Sequence, residues 1–337
     1  MNEYDTALKA LRAPLPSNPT MQALVRFATL AANGHNTQPW QFAVGESGFR
    51  IVPDFTRRTP IVDPDDHHLF CSLGCAAENL MIAAKANGHP SAFDFDEHTQ
   101  NIHIDLTSAP SRDDPLYRAI PLRQSTRSIY DARDIAPAEL KLLEAAAKIE
   151  GVSMQIITDV HKRETVMDYL IQANSAQMDN AAFVEELRNW IRFNPAQALA
   201  MRDGLYSKAA GSPVVPTWIG ERMFGLFFKK VSETKKYIAQ IRSSSGIAIF
   251  IGDKADKTHW IKVGRSFQRF ALQATVFGIR HAHLNQIVEI PDVRHPFANW
   301  LGAGDLRPDL IVRFGRAPPM PMSLRRPTSA VILPPMQ

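Results

Sequence analysis

Two fifteen-residue segments, Gly74-Cys-Ala-Ala-Glu-Asn-Leu-Met-Ile-Ala-Ala-Lys-Ala-Asn-Gly88 and Gly264-Arg-Ser-Phe-Gln-Arg-Phe-Ala-Leu-Gln-Ala-Thr-Val-Phe-Gly278, share their length, their terminal glycines and a helical spacing of apolar residues. Corresponding glycines stand 190 positions apart in both pairs. A chain that repeats one helix at a fixed offset is constrained to build two similar units. The small residues on these helices let a partner helix approach closely, and the closing glycine is a natural C-cap. The correspondence extends upstream, where Leu24 to Ala32 followed by Trp40-Gln-Phe-Ala-Val parallels Leu140 to Ala147 followed by Ser153-Met-Gln-Ile-Ile-Thr.

At 337 residues with 45% hydrophobic content, the chain has material for two cores of ordinary globular size. Its net charge of +4 is spread among interspersed acids and bases, a weak argument for an anionic ligand and a poor one for nucleic acid. The first twenty residues contain Asp5, Lys9 and Arg12 and no continuous apolar run, so neither a secretory signal nor a membrane anchor is expected, and a cytoplasmic location is. Cys71 and Cys75, four apart in a helical pattern, exclude a disulfide framework. They read as core cysteines rather than as a metal site with His67 and His68.

The richest local signal is Asn33-Gly34-His35-Asn36-Thr37-Gln38-Pro39-Trp40, set between a helical segment from Met21 and strand-type alternation from Phe42. Its amides offer donors and acceptors without charge, as a hydrogen-bonding heterocycle requires. The same residues also suit a capped loop over a buried tryptophan. In the second copy Lys148-Ile-Glu-Gly-Val replaces this turn, but that copy opens with Arg123-Gln124-Ser125-Thr126-Arg127. Two arginines four apart flanking hydroxyls match a phosphate or a polarised carbonyl, or equally form a solvated basic turn.

The core Asn36-Thr-Gln-Pro-Trp40 resembles the flavin-binding signature of the nitroreductase family, and Arg123-Gln-Ser-Thr-Arg127 is similar to that family's opening Arg-x-Ser-x-Arg/Lys. Many members have Pro-Ser ahead of the first motif, where this chain has Ala32-Asn33. Nitroreductases are typically homodimers that share each flavin between subunits, and here each half keeps one of the two parts. The resemblance therefore implies an α/β (α+β) chain folded as a three-layer α-β-α sandwich, two halves fused as an intramolecular pseudo-dimer with one site, as in the family's Acg-like branch. Asp63-Pro64 followed by Ser72-Leu-Gly74 is similar to that branch as well. The halves are expected at 1–112 and 113–337, joined near Thr107 to Pro115, with a helical lid inserted at about 160–235. A monomer is expected in solution, with a small-molecule substrate and neither nucleic acid nor membrane as partner. The run Met223-Phe-Gly-Leu-Phe-Phe228 beside Lys229-Lys230 reads as part of a packed helix.

By the same resemblance the cofactor is FMN, with NAD(P)H as transient electron donor. Arg123, Gln124 and Ser125 would hold the ribityl phosphate side and Arg127 would approach the flavin N1 and O2. Asn33, His35, Asn36 and Gln38 would close the site from the first half. Asn285 and Gln286 occupy the place of the family's Pro-x-Glu-Gly stretch, with Gln286 where glycine lies beside N5. Arg325 would be a further phosphate ligand, although Ile311 to Arg316 and the following arginines also read as a strand with a basic tail. No catalytic side chain is assigned, the flavin carrying the hydride; Arg127 and Gln286 are the candidates that tune it. Three functions remain: an oxidoreductase passing two electrons to nitroaromatic or quinone-type acceptors, a flavin-storage protein with little turnover, or a flavin-free structural relic.

Overall fold

A computed structural model of the chain describes residues 2–334, without the side chains of Leu226 and Phe227. Residues 335–337 of the expected second half, and two members of the Met223–Phe228 run, thus lie outside what is described. The first half contributes α1 (Glu3–Leu11), α2 (Met21–Thr29), β1 (Trp40–Val44), β2 (Gly48–Pro53), α3 (His67–Ala86), β3 (Ser91–Asp96) and β4 (Asn101–Leu106). After α4 (Pro115–Ala119) come α5 (Pro137–Ala147), β5 (Val152–Ile157), α6 (Val160–Asp179), α7 (Ala181–Asn189), β6 (Ile191–Arg192), α8 (Pro195–Met201) and β7 (Leu205–Tyr206). The chain continues with α9 (Thr217–Phe227), α10 (Lys230–Arg242), β8 (Gly246–Gly252), α11 (Lys257–Val276), β9 (Ile279–His283), α12 (Gln286–Glu289), α13 (Pro291–Leu301) and β10 (Pro308–Arg316).

Two four-stranded antiparallel sheets result, in the orders β1-β2-β4-β3 and β5-β8-β10-β9. The orders are the same once strands are matched by rank within each sheet, so both halves run strand, strand, long helix, strand, strand. The long helices are α3 and α11, and their ranges are themselves offset by 190 residues.

These two helices cross at the repeated glycines. A β-carbon on Gly74 would lie 2.0 Å from the carbonyl oxygen of Ile261, and one on Gly264 would lie 1.9 Å from that of Cys71. Only a residue without a side chain permits this contact. Around the crossing, Gln268 donates to Asn79 Oδ1 at 2.7 Å, and Glu78 accepts from Arg265 and Arg269, each at 2.9 Å. An 18-residue window of α3 is as hydrophobic as a membrane span, but 83% of it is buried within the protein, as befits a central core helix.

The two sheets are covered differently. All seven residues of β8 are buried. Ala248 and Phe250 face α11 in the main core, while Ile247, Ile249 and Ile251 pack with Val166, Leu170, Ile241 and Phe297 in a second core. The second sheet is therefore the middle layer of an α-β-α sandwich and reads as an apolar run. In β2 and β4 buried residues alternate with partly exposed ones, because the outer face of the first sheet carries no helix layer. Helices α6 to α10 lie between β5 and β8, where the first sheet has only the turn joining β1 to β2.

Candidate functional site

Asn33 to Trp40 leaves α2 and enters β1 through a backbone that needs support. His35, Asn36 and Gln38 all have φ between 46° and 56°. Left-handed geometry is uncommon outside glycine, and persists where surrounding contacts dictate it. Those contacts are present. Asn33 Oδ1 accepts the Gln38 amide at 2.9 Å, Thr37 N–H reaches the Gly34 carbonyl at 2.9 Å, and Gly34 N–H donates to Ser72 Oγ of α3. Trp40 is wholly buried beneath the turn.

Next to this turn lies a cavity of about 590 Å³. Asn33, Gly34 and His35 reach it from the first half, and Arg127, His283, Asn285, Gln286 and Glu289 from the second. Much of its apolar wall comes from the inserted segment, including Phe183, Leu187, Phe193 and Phe224. Mostly apolar walls with a few convergent polar groups are the ordinary character of a small-molecule site. The Arg127 guanidinium makes no hydrogen bond or ion pair among the described residues, and burial lowers its pKa. Burial pushes His35 down to about 4 and His283 down to about 3, and the Arg127 charge adds to both, so each imidazole is neutral at pH 7.

The proposed ligands separate into groups. Asn33, His35, Arg127, Asn285 and Gln286 line the cavity. Gln286 Nε2 is held by Tyr237 Oη at 2.6 Å, and Asn285 Oδ1 accepts the Ile311 amide at 3.1 Å. Gln38 and the amide nitrogen of Asn36 are engaged elsewhere, while Asn36 Oδ1 is buried without a partner. Asn36 Nδ2 donates to the carbonyls of Gly204 and Leu324, while Gln38 donates to Arg202 O and accepts from the Arg326 amide at 2.8 Å. Gln124 is tied to both backbone atoms of Met320. Ser125 pairs as a β-bridge with His281 and stands outside the cavity lining.

Arg123 and Arg325 meet behind the cavity wall at the end of α2. Arg325 donates to the carbonyls of Thr29 and Ala31 and Arg123 to that of Leu30, capping the negative end of the helix. A third cation there is Arg12 of α1, which donates to Pro121 O at 2.6 Å and to Arg123 O. No motif marks Arg12; only the docking of α1 brings it in. Burial and mutual repulsion lower the pKa of Arg12 to about 9 and that of Arg325 strongly, and burial alone takes Arg123 to about 10. No carboxylate salt bridge reaches any of the three among the described residues. Nε and Nη1 of Arg123 and Nε of Arg12 are buried without partners. A guanidinium gives up its proton only with difficulty, so crowding of this kind is relieved by a bound anion. The three arginines, outside the cavity lining, thus keep donors that suit an anion such as a phosphate, and the cavity has room for a flat ring system.

The inserted segment is fastened across this site. Arg57, beside the turn, pairs with Asp203 and donates to the Thr37 carbonyl, and Arg192 holds the other oxygen of Asp203 at 2.7 Å. A second group missed by the sequence is His68 with Glu289, 3.3 Å apart, both on the cavity wall.

No protein-family model matches the chain. Two Mycobacterium tuberculosis proteins named as NAD(P)H nitroreductases, from strains CDC 1551 / Oshkosh and H37Rv, are each 24% identical to it, over 96% of this chain and 94% of theirs. Among solved structures, a Bacteroides fragilis nitroreductase with bound FMN shares 14% identity over 61% of this chain and 90% of its own, with a TM-score of 0.37. The Vibrio harveyi NADPH:FMN oxidoreductase complexed with NAD+ shares 12% over 66% and 78%, with a TM-score of 0.41. Superpositions of this quality carry no argument about the site.

Proposed function

From the premise that this chain belongs to the nitroreductase family, we propose that it is an FMN-dependent NAD(P)H oxidoreductase with one flavin per chain. The observation that carries this reading is the pairing of one cavity lined from both halves with a buried, carboxylate-free trio of arginines beside it. Arg12, Arg123 and Arg325 would take the phosphate. Asn33, His35, Asn285 and Gln286 would surround the ring, and Arg127 would face its pyrimidine edge. When bound, FMN supplies the two-electron transfer chemistry between nicotinamide and acceptor, and the protein supplies placement and charge. A cation such as Arg127 favours negative charge developing near it in a dry site. The apolar wall from Phe183, Leu187, Phe193 and Phe224 suits nitroaromatic or quinone-type acceptors.

The second reading, flavin storage with little turnover, is favoured by one observation: Asp203 of the inserted segment is latched by Arg57 and Arg192 across the site. We also propose that the molecule is a monomer, its two halves acting as each other's partner, as in the Acg-like branch. Flavin released per chain on denaturation tests the single site, and a ratio near two overturns it. Anaerobic NADPH titration separates the functions. Bleaching within seconds supports the oxidoreductase; a flavin that only dithionite reduces supports storage.

A further inference from the structure

His68 and Glu289 form an ion pair in which both partners line the cavity, as Lys236 and Glu233 do at 3.6 Å, but only the first contains a group that titrates near neutrality. The His68 and Glu289 side chains are 11% and 15% exposed, and Nε2 of His68 lies 3.3 Å from Oε1 of Glu289. Two further contacts fix the pair. Gln177 of α6 donates to the other oxygen of Glu289 at 2.5 Å, and Asp63, ahead of α3, accepts the backbone amides of His68 and Leu69. Nδ1 of His68 is buried without a partner.

Resting on the flavoenzyme reading above, we propose that His68 is the proton donor to the acceptor substrate, with Glu289 as the positioning residue that keeps the imidazolium aimed and charged. An acceptor that takes a hydride equivalent needs one more proton to reach its neutral dihydro form. In this step Glu289 keeps Nε2–H, the Nδ1–H bond of the His68 imidazolium breaks, its electron pair stays on the imidazole, and the proton bonds to the acceptor oxygen or nitrogen. Glu289 remains a carboxylate, and solvent returns the proton when product leaves.

The surroundings favour this role for His68 over the other cavity imidazoles. Burial alone depresses its pKa, but the hydrogen bond to Glu289 and the charges of Asp63 and Glu289 outweigh it and hold the group above the usual 6.5. The neighbouring imidazoles His35, His67 and His283 are held below that value by burial. Arg307 opposes protonation of His68 from the far side. His67, 4.7 Å away ring to ring, is engaged with Asp309 at 2.9 Å. Of the cavity-wall histidines His35, His68 and His283, His68 is therefore the one whose surroundings favour the protonated form.

The test uses the flavin-loaded protein reduced with dithionite, then mixed with 1,4-benzoquinone or with ferricyanide, which takes electrons without protons. His68→Gln is expected to slow oxidation by benzoquinone at pH 7 by about 10²- to 10⁴-fold, the usual contribution of a general acid, and to leave oxidation by ferricyanide unchanged. Glu289→Gln keeps the imidazole and shifts the benzoquinone pH profile toward lower pH. Independently of turnover, the His68 resonance of flavin-free protein should titrate above 6.5, and lower in Glu289→Gln. Equal benzoquinone rates in wild type and His68→Gln, or titration of His68 at or below 6.5, overturn the proposal while leaving the flavoenzyme reading intact. Failure of the wild-type protein to bind FMN overturns that reading, and this inference with it.

Discussion

Asn36 and Gly204 are joined reciprocally: the Gly204 amide donates to the Asn36 carbonyl at 3.1 Å, and Asn36 Nδ2 donates to the Gly204 carbonyl at 3.0 Å. A side chain from the turn between α2 and β1 thus does the work of a strand edge for a segment 168 residues away. The amide nitrogen of the residue expected to face a flavin holds the inserted segment, and its Oδ1 is buried without a partner.

Asn36→Ala should therefore act through that segment. It strands the buried carbonyls of Gly204 and Leu324 and costs roughly 1–3 kcal/mol locally. Amide exchange at Gly204 and Leu205 is expected to speed up by at least tenfold. Unchanged exchange with weakened FMN binding would return Asn36 to direct flavin contact.

Arg12→Ala and Arg123→Ala should both weaken FMN, by roughly 2–3 kcal/mol or about 30- to 150-fold, since a charge-assisted bond in a buried site is lost. Riboflavin, which lacks the phosphate, should bind both variants about as it binds wild type. A matching loss for riboflavin would remove the arginine trio from the phosphate role. Arg133→Ala, whose side chain is 74% exposed and paired only with Asp131, serves as control.

Gly74→Ala and Gly264→Ala should each destabilise the fold by at least about 2 kcal/mol, because the new methyl meets backbone of the opposite helix and the core is close-packed. Gly225→Ala in α9, with open space around the new atom, should be neutral or slightly stabilising. Thermal melts that put all three at the wild-type midpoint would contradict the helix crossing.

The His68–Glu289 pair sets a pH window for stability. His68 has its folded pKa raised above 6.5, so its contribution is complete below 6.5 and is lost as pH rises through the folded value. Burial raises the pKa of Glu289, but the hydrogen bond and charge of His68, with smaller help from His35 and Gln177, outweigh it and lower the group from 4.5, so its contribution is present above 4.5 and lost as pH falls through its folded value. The stability gap between wild type and Glu289→Gln should be widest between about pH 4.5 and 6.5 and shrink toward pH 9 in urea melts. A gap that grows from pH 6.5 to pH 9 would exclude this assignment.

Much of the architecture was legible in the chain. The 190-residue offset forecast two long helices of one kind, and the alternation from Phe42 forecast a strand where β1 runs. These are local signals, and residues a few positions apart set them through periodicity, turn geometry and capping.

What the sequence determined by itself was the kind of helix that recurs, the strained amide-rich turn and the two arginines that open the second half. Only tertiary structure decided where their side chains are used. Asn36 and Gln38 turn to backbone groups at 202–204 and 324–326, Arg12 reaches Arg123 from a helix with no motif, and His68 finds Glu289 across more than two hundred residues. The reason is physical. A side-chain amide or guanidinium bonds any acceptor that packing brings within about 3 Å, and which acceptor arrives depends on the crossing of α3 and α11 and the docking of the inserted helices. Spacing along the chain carries no record of that choice.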